Sequence, residues 1–124
     1  MPRPVKNKPT ITRALSIRQP YIELILSGRK TIEYRSRRTN VRERVYLYAS
    51  TFPGPAEVFA AAELVWDELP RGLILGSVEI TGCELGDEYF EWQLARPKRL
   101  ATPLKPTRRP QPLFFFPFAT DRTS

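Results

Sequence analysis

The residue types best suited to chemistry lie close together near the start of the sequence, at Lys30, Glu33 and Arg35. They combine a flexible point charge, a carboxylate and a planar guanidinium fork. Such a trio can hold a phosphate, accept a hydrogen bond from the exocyclic amine of a base, or share acid–base work where burial lowers the pKa of the lysine. The alternative is a partly buried ionic network that fixes a junction between two elements and binds nothing.

A strand and a short helix precede the trio. Residues 12–18 alternate in polarity, which predicts a half-buried strand with Ser16 and Arg18 on its polar face. Pro20 suits the first turn of a helix, where its missing N–H costs nothing. Gly28 suits the left-handed position that ends a helix. We therefore expect the helix to end just before the lysine of the trio.

A second strand carries the other two members. Residues 31–37 alternate again, so Ile32 and Tyr34 are predicted to face the core. The opposite face then presents four polar side chains, Thr31, Glu33, Arg35 and Arg37. Stacking on a base is an alternative role for Tyr34, and Tyr48, on the next predicted strand, is a second candidate for such stacking.

The rest of the chain predicts a scaffold for these elements. Periodicity indicates one further helix over residues 55–69. It also indicates four further strands, at 45–50, 73–82, 90–94 and 113–118. Residues 95–112 carry six Lys or Arg and five prolines, which predicts an extended edge or a long loop. Gly76 marks a bulge or a close approach of another segment, and the rings of Phe114, Phe116 and Phe118 are expected to close the core. The predicted fold is α+β, a small mixed β-barrel of about six strands with two to three helices.

Composition limits the chemistry that is possible. The net charge of +7 favours a polyanionic partner such as RNA or DNA, although a basic protein with no such role is the alternative. There is no histidine and a single cysteine, which excludes histidine metal sites, thiolate zinc clusters and Ser-His-Asp triads. We predict no metal and no cofactor. The candidate phosphate contacts outside the trio are Arg37, Arg38, Arg42, Arg108 and Arg109.

The length of the chain, 124 residues, fits one domain. We expect a flexible basic arm over residues 1–11, a single domain over 12–118 and a frayed C-terminus over 119–124. The N-terminal residues lack the apolar run of a signal peptide, and no segment approaches the roughly 18 apolar residues of a membrane span. The expected location is cytoplasmic, with no membrane partner.

The residues around the trio resemble a known family. Residues 16–21, Ser-Ile-Arg-Gln-Pro-Tyr, are followed after the short helix by residues 28–35, Gly-Arg-Lys-Thr-Ile-Glu-Tyr-Arg. This combination resembles the ASCH family, the activating-signal-cointegrator homology domain, whose hallmark is similar to G-x-K-x-x-E-x-R. The resemblance covers roughly residues 12–118 and implies a PUA-like fold, a six-stranded barrel whose close relatives bind RNA.

The same resemblance implies where a ligand would lie. It places a cleft between the first helix and the barrel, lined by Lys30, Glu33 and Arg35, with Ser16 and Arg18 beside them. An RNA-binding module would hold a single-stranded segment or a flipped nucleotide there.

Other activities follow from the resemblance as alternatives. Some small bacterial members resemble metal-independent hydrolases that cleave single-stranded RNA or remove the acyl group from acetylated cytidine. The resemblance to the amidohydrolase group implies a threonine at the motif position that Glu33 occupies here. Thr31 supplies a hydroxyl, but at a different position of the motif. A protein-interaction domain in transcriptional control is a third implication, from the family's eukaryotic context.

Overall fold

The structure, a computed structural model that describes residues 10–118, contains six strands, two α-helices and one 3₁₀ helix. The strands are β1 (Ala14–Ile17), β2 (Ile32–Arg35), β3 (Arg44–Ala49), β4 (Ile74–Leu85), β5 (Phe90–Leu104) and β6 (Phe114–Phe115). The helices are α1 (Tyr21–Leu26), α2 (Ala56–Ala62) and the 3₁₀ helix Trp66–Glu68. Residues 1–9 of the expected basic arm, and the expected frayed end over 119–124, lie outside the described residues.

All six strands belong to one mixed sheet, in the order β2-β5-β4-β3-β1-β6. β1 runs parallel to β3, and the other ladders are antiparallel. β2 and β6 are the two edges, and no ladder joins them within residues 10–118. The predicted α+β class with six strands is confirmed, but the sheet is not closed into a barrel. The gap between its two edges is where the candidate site lies.

The core is formed by the apolar faces of α1 and of the inner strands. Leu15 and Ile17 are buried, as the alternation over residues 12–18 predicts. Trp92 on β5 is completely buried, and its indole N–H donates to the carbonyl of Arg37 at 2.9 Å. The other fully buried side chains of this cluster come from α1, β3 and β4, and include Ile22, Ile25, Val45, Leu47, Leu75, Val78 and Ile80.

β5 is much longer than the predicted strand at 90–94. It continues to Leu104, so the first part of the predicted edge or loop over 95–112 is a strand, although its pairing with β4 is irregular. The prolines that argued against a ladder, Pro97 and Pro103, fall at shifts in the register between β4 and β5. A bulge leaves a residue unpaired, so the missing N–H of proline costs no ladder bond there.

The predicted helix over 55–69 is wrong in length. α2 ends at Ala62 because Glu63 adopts the left-handed conformation, with φ 58° and ψ 42°. The break leaves Val65 outside the helix, and this side chain is 51% exposed. Within residues 10–118 no helix has the length and apolar character needed to cross a membrane.

The terminal strand is also shorter than predicted. β6 pairs with β1 only through Phe114 and Phe115, and Phe116 is 49% exposed instead of closing the core. Leu113 has a φ of 66°, which interrupts the extended backbone on which the predicted alternation depends. Phe114 nevertheless packs on the core, stacked on Trp92 with ring centroids 5.5 Å apart.

Candidate functional site

The end of α1 fixes the backbone of Lys30. Gly28 has a φ of 84°, as predicted for the residue that ends the helix. Its N–H donates to the carbonyl of Ile25 at 3.0 Å, and the N–H of Arg29 donates to the carbonyl of Leu24 at 2.9 Å, which together form a Schellman motif. The N–H of Lys30 donates to the same Leu24 carbonyl at 3.0 Å. Lys30 is therefore held at the exit of the helix before β2 begins.

Glu33 lies between two cations. Its Oε2 accepts a hydrogen bond from Nε of Arg35 at 2.7 Å, and its Oε1 lies 3.6 Å from Nζ of Lys30. The side chains are mostly buried, with exposed fractions of 8% for the glutamate and 15% for the lysine. Solvent screens such charges less than it screens pairs on the surface. The three residues form one ionic network with an excess of positive charge.

Two tyrosine rings flank the lysine of this network. Nζ of Lys30 lies 5.2 Å from the ring centroid of Tyr21 and 5.0 Å from that of Tyr34, within the range of cation–π attraction. Burial lowers the pKa of Lys30 from its usual value, and the neighbouring Glu33 opposes this shift. The ammonium group therefore releases its proton more readily than an exposed lysine does.

The prediction that Tyr34 faces the core is wrong. Tyr34 is 52% exposed, whereas Glu33, predicted on the polar face, is 6% exposed. β2 is an edge strand, and its inner face borders a cleft instead of an apolar core. Charged side chains therefore occupy the inward positions of this strand.

Arg35 connects β2 to β1. Its Nη2 donates to the carbonyl of Ser16 at 3.0 Å, and the N–H of Ser16 donates to the carbonyl of Leu113 at 2.8 Å. The guanidinium carbon also lies 5.7 Å from the ring centroid of Trp92. The backbone of Ser16 thereby joins the ionic network to the segment that precedes β6.

A cleft of about 580 Å³ opens at this junction, and we call it the main cleft. Its volume lies within the roughly 300–1,000 Å³ typical of ligand sites. The polar lining residues are Ser16, Arg18, Glu33, Arg35, Ser50, Thr51 and Gln111. The aromatic and apolar lining residues are Tyr21, Tyr34, Tyr48, Phe52, Pro110, Pro112 and Leu113.

Two tyrosines of the main cleft, the buried Tyr48 and the half-buried Tyr21, remain hydrogen-bond donors over a wide pH range. Burial raises the pKa of Tyr48, and burial together with the charge of Glu33 raises the pKa of Tyr21. The ring of Tyr48 is 6% exposed and packs edge-to-face on Phe115 with centroids 5.4 Å apart. Tyr48 therefore offers a ligand little of its ring face, whereas Tyr34 and Phe52 are exposed at the same cleft.

The structure brings part of the predicted site together. Ser16, Arg18, Glu33, Arg35 and Tyr48 line the main cleft. Lys30, which was expected to line it, is not among the lining residues but contacts three of them, Glu33, Tyr21 and Tyr34. The other candidate contacts do not line it. Arg37 lines a neighbouring pocket, and the remainder are Thr31, Arg38, Arg42, Arg108 and Arg109.

Sequence reasoning missed two walls of the cleft. One is the turn that carries Phe52, where Gly54 donates its N–H to the carbonyl of Gln19 at 2.8 Å. The other is the segment 110–113. An apolar ring in a Pro-Gly turn was a usable signal for the first wall. The second wall forms because the segment 110–113 lies beside β1, near the other end of the described residues. No local sequence pattern predicts such a contact.

The arrangement can bind a polar, partly aromatic ligand. It offers a fixed carboxylate acceptor, guanidinium donors, phenol donors and exposed rings. Hydroxyl groups of Ser16, Ser50 and Thr51 are also present at its surface. Within residues 10–118, no group of three or more Asp, Glu or Cys side chains is placed to hold a metal ion.

The described residues form an open six-stranded mixed sheet with two α-helices and a charged, aromatic cleft beside the first helix. The family model for the ASCH domain matches residues 15–105, so the chain belongs to the ASCH domain family, whose fold is PUA-like. That membership associates the protein in general with RNA binding or a related function. Comparison with curated proteins finds no match.

Proposed function

We propose that the protein binds single-stranded RNA by taking one nucleotide into the main cleft. The observation that carries this proposal is the carboxylate of Glu33, fixed by two cations on the wall of a cleft that also exposes aromatic rings. A fixed carboxylate can accept a hydrogen bond from the exocyclic amine of a base, and nearby rings can stack on the base. Adenine, cytosine and guanine carry such an amine and uracil does not, so the cleft favours these three bases over uracil.

The phosphate of the same nucleotide would bind Arg18. This side chain is exposed, lines the main cleft and takes no part in the ion pairs formed among residues 10–118. Arg108 and Arg109 directly precede the cleft wall at 110–113 and are both exposed. These charges attract the flanking phosphates of a strand, with a contribution that falls as salt rises.

The test compares cleft residues with matched residues outside the cleft. Binding of a short unstructured RNA is measured by fluorescence anisotropy at several salt concentrations. We expect Arg18→Ala to reduce the slope of log affinity against log salt by about 0.7, the loss of one contact to a single strand. Arg29→Ala is the control, because Arg29 is also exposed but does not line the cleft.

Tyr34 supplies a second comparison. Tyr34→Ala should weaken binding about 5- to 150-fold, the effect of losing about 1–3 kcal/mol of stacking, and Tyr34→Phe should retain most of the affinity. Tyr89→Ala is the control, since Tyr89 is similarly exposed and lies outside the main cleft. Equal effects of the cleft and control variants, or no binding at low salt, would reject the proposal.

A hydrolase is the second candidate, favoured by the lowered pKa of Lys30 beside Glu33. A neutral lysine is a proton acceptor, and Arg35 could stabilise developing negative charge. Purified protein is incubated with labelled single-stranded RNA and, separately, with acetylcytidine. Turnover that disappears in Lys30→Ala supports a hydrolase at this site, and turnover that persists in this variant rejects it.

A further inference from the structure

A second pocket adjoins the main cleft across a shared wall. Its volume is about 450 Å³, and we call it the side pocket, lined by Arg35, Ser36, Arg37, Pro112, Leu113 and Phe114. Arg35, Pro112 and Leu113 line both spaces. The two spaces are therefore separated by one arginine side chain and two consecutive residues of backbone. A flexible chain that fills the main cleft reaches the side pocket by crossing this wall.

The side pocket is cationic. Its lining includes two arginines and no acidic residue. The side chain of Arg37 is exposed, and its position is anchored because its carbonyl accepts the indole N–H of Trp92 at 2.9 Å. The ring of Phe114, stacked on Trp92, supplies an apolar surface beside this charge. An anionic group joined to a sugar or base matches both properties.

Arg35 stands at the crossing between the two spaces. It uses Nε on Glu33 and Nη2 on the carbonyl of Ser16, so the rest of its guanidinium fork remains for a ligand. At the wall, Pro112 has no N–H to donate, and the carbonyl of Leu113, an acceptor that would repel a phosphate, already accepts the N–H of Ser16. A phosphodiester group at the crossing would meet a positively charged and otherwise apolar surface.

We propose that the RNA strand continues from the main cleft over Pro112 and Leu113 into the side pocket, with the linking phosphate at Arg35 and the next nucleotide beside Arg37. This inference rests on the proposed function and narrows it. The ligand is then an oligonucleotide of at least two nucleotides, and a free nucleoside fills only half of the site.

The experiment measures affinity along a series of ligands: adenosine 5′-monophosphate, the 5′-phosphorylated adenylyl dinucleotide and the 5′-phosphorylated adenylyl tetranucleotide. The dinucleotide keeps the terminal phosphate of the monophosphate and adds a linking phosphate, so we expect it to bind at least about tenfold more tightly through this additional charge-assisted contact. Arg37→Ala should reduce this gain and leave the affinity for the monophosphate unchanged. Arg38→Ala is the matched control, since Arg38 is the next residue, is equally exposed and lines neither space.

The outcomes separate this inference from the function on which it rests. No gain from monophosphate to dinucleotide, or equal losses in Arg37→Ala and Arg38→Ala, overturns the inference. Binding of the monophosphate that still depends on Arg18 would leave the proposed function standing in that case. If none of the three ligands binds at low salt, the proposed function fails and the inference fails with it. Thermal unfolding of both variants checks that they fold as the unmodified protein does.

Discussion

At the scale of single residues, the unusual feature is a lysine kept in a mostly buried position. Burial disfavours the ammonium form of Lys30, whereas Glu33 at 3.6 Å and the rings of Tyr21 and Tyr34 favour it. Burial has the larger effect, so the pKa of Lys30 is lowered. The charge of this lysine is therefore lost at a lower pH than the charge of a lysine on the surface.

This balance predicts how RNA affinity depends on pH. Affinity for an oligonucleotide of adenosine should fall as the pH rises through the lowered pKa of Lys30, beginning below the usual lysine value of 10.5, because the neutral amine no longer holds the carboxylate of Glu33 in place for the base. Tyr21 and Tyr48 keep their protons in this range, since their pKa values are raised above 10.0. The measurement is a binding titration from pH 7 to pH 10 with a 2′-O-methyl oligonucleotide that resists alkaline cleavage.

Lys30→Arg is the control for that titration. An arginine keeps its charge throughout the range, so the variant should show no decline in affinity with pH. A parallel decline in both proteins would assign the effect to another group and contradict the prediction.

The pairing of Glu33 with Arg35 was predictable, because residues two apart on a strand share a face. The inward direction of that face was not. Alternation places the apolar positions of a strand in the core, and this rule fails for Tyr34 because β2 is an edge strand beside a cleft. The end of the helix was predictable from Gly28, because glycine adopts the left-handed conformation that ends a helix without strain.

At the scale of elements, β4 and β5 form the longest ladder, and a glycine sets how closely β5 and α1 approach it. A Cβ at Gly76 would clash with the carbonyl oxygen of Lys98 and would lie 2.6 Å from Cδ2 of Leu26. The backbone of Lys98 belongs to the same ladder and cannot move freely. The predicted close approach at Gly76 is confirmed.

Gly76→Ala should therefore destabilise the protein by about 1–3 kcal/mol through overpacking. The measurement is the urea midpoint, with the slope of the transition expected to stay unchanged. Glu84→Ala, an exposed position on the same strand, should change the unfolding free energy by less than about 0.5 kcal/mol. If the Gly76→Ala variant is as stable as the unmodified protein, β5 can move away from β4 at low cost.

The extent of the strands was harder to predict than their existence. β4 was predicted from its apolar run, but the second half of β5 was not predicted as a strand because it contains Pro97 and Pro103. These prolines are compatible with a strand only because the pairing of β4 with β5 is irregular beside them. Such bulges cannot be predicted reliably from a single sequence. For α2, the stop at Glu63 depends on a backbone conformation that glutamate seldom adopts.

At the scale of the whole molecule, Trp92 links the sheet to the gap between its edges. Its ring stacks on Phe114 next to β1, and its N–H bonds to Arg37 just after β2. Trp92→Phe would keep much of the ring and leave the carbonyl of Arg37 without its donor. We expect a loss of about 1–3 kcal/mol in the unfolding free energy, measured by urea denaturation.

The matched control is Trp66→Phe. Trp66 is only partly buried, at the surface beside Arg71, whose guanidinium carbon lies 4.4 Å from its ring centroid. This variant should lose less than about 1 kcal/mol. Equal losses in the two variants would show that ring size, and not the hydrogen bond to Arg37, determines the effect.

The segment 110–113 has a consequence for how this family diversifies. The family match ends at residue 105, yet this segment forms one wall of the main cleft and part of the wall that it shares with the side pocket. The motif residues of β2 thus supply one side of the site, and a stretch outside the matched region supplies the other. Proteins that share the Lys-Glu-Arg motif can therefore differ in ligand preference through changes in this stretch alone, so a common motif does not entail a common ligand.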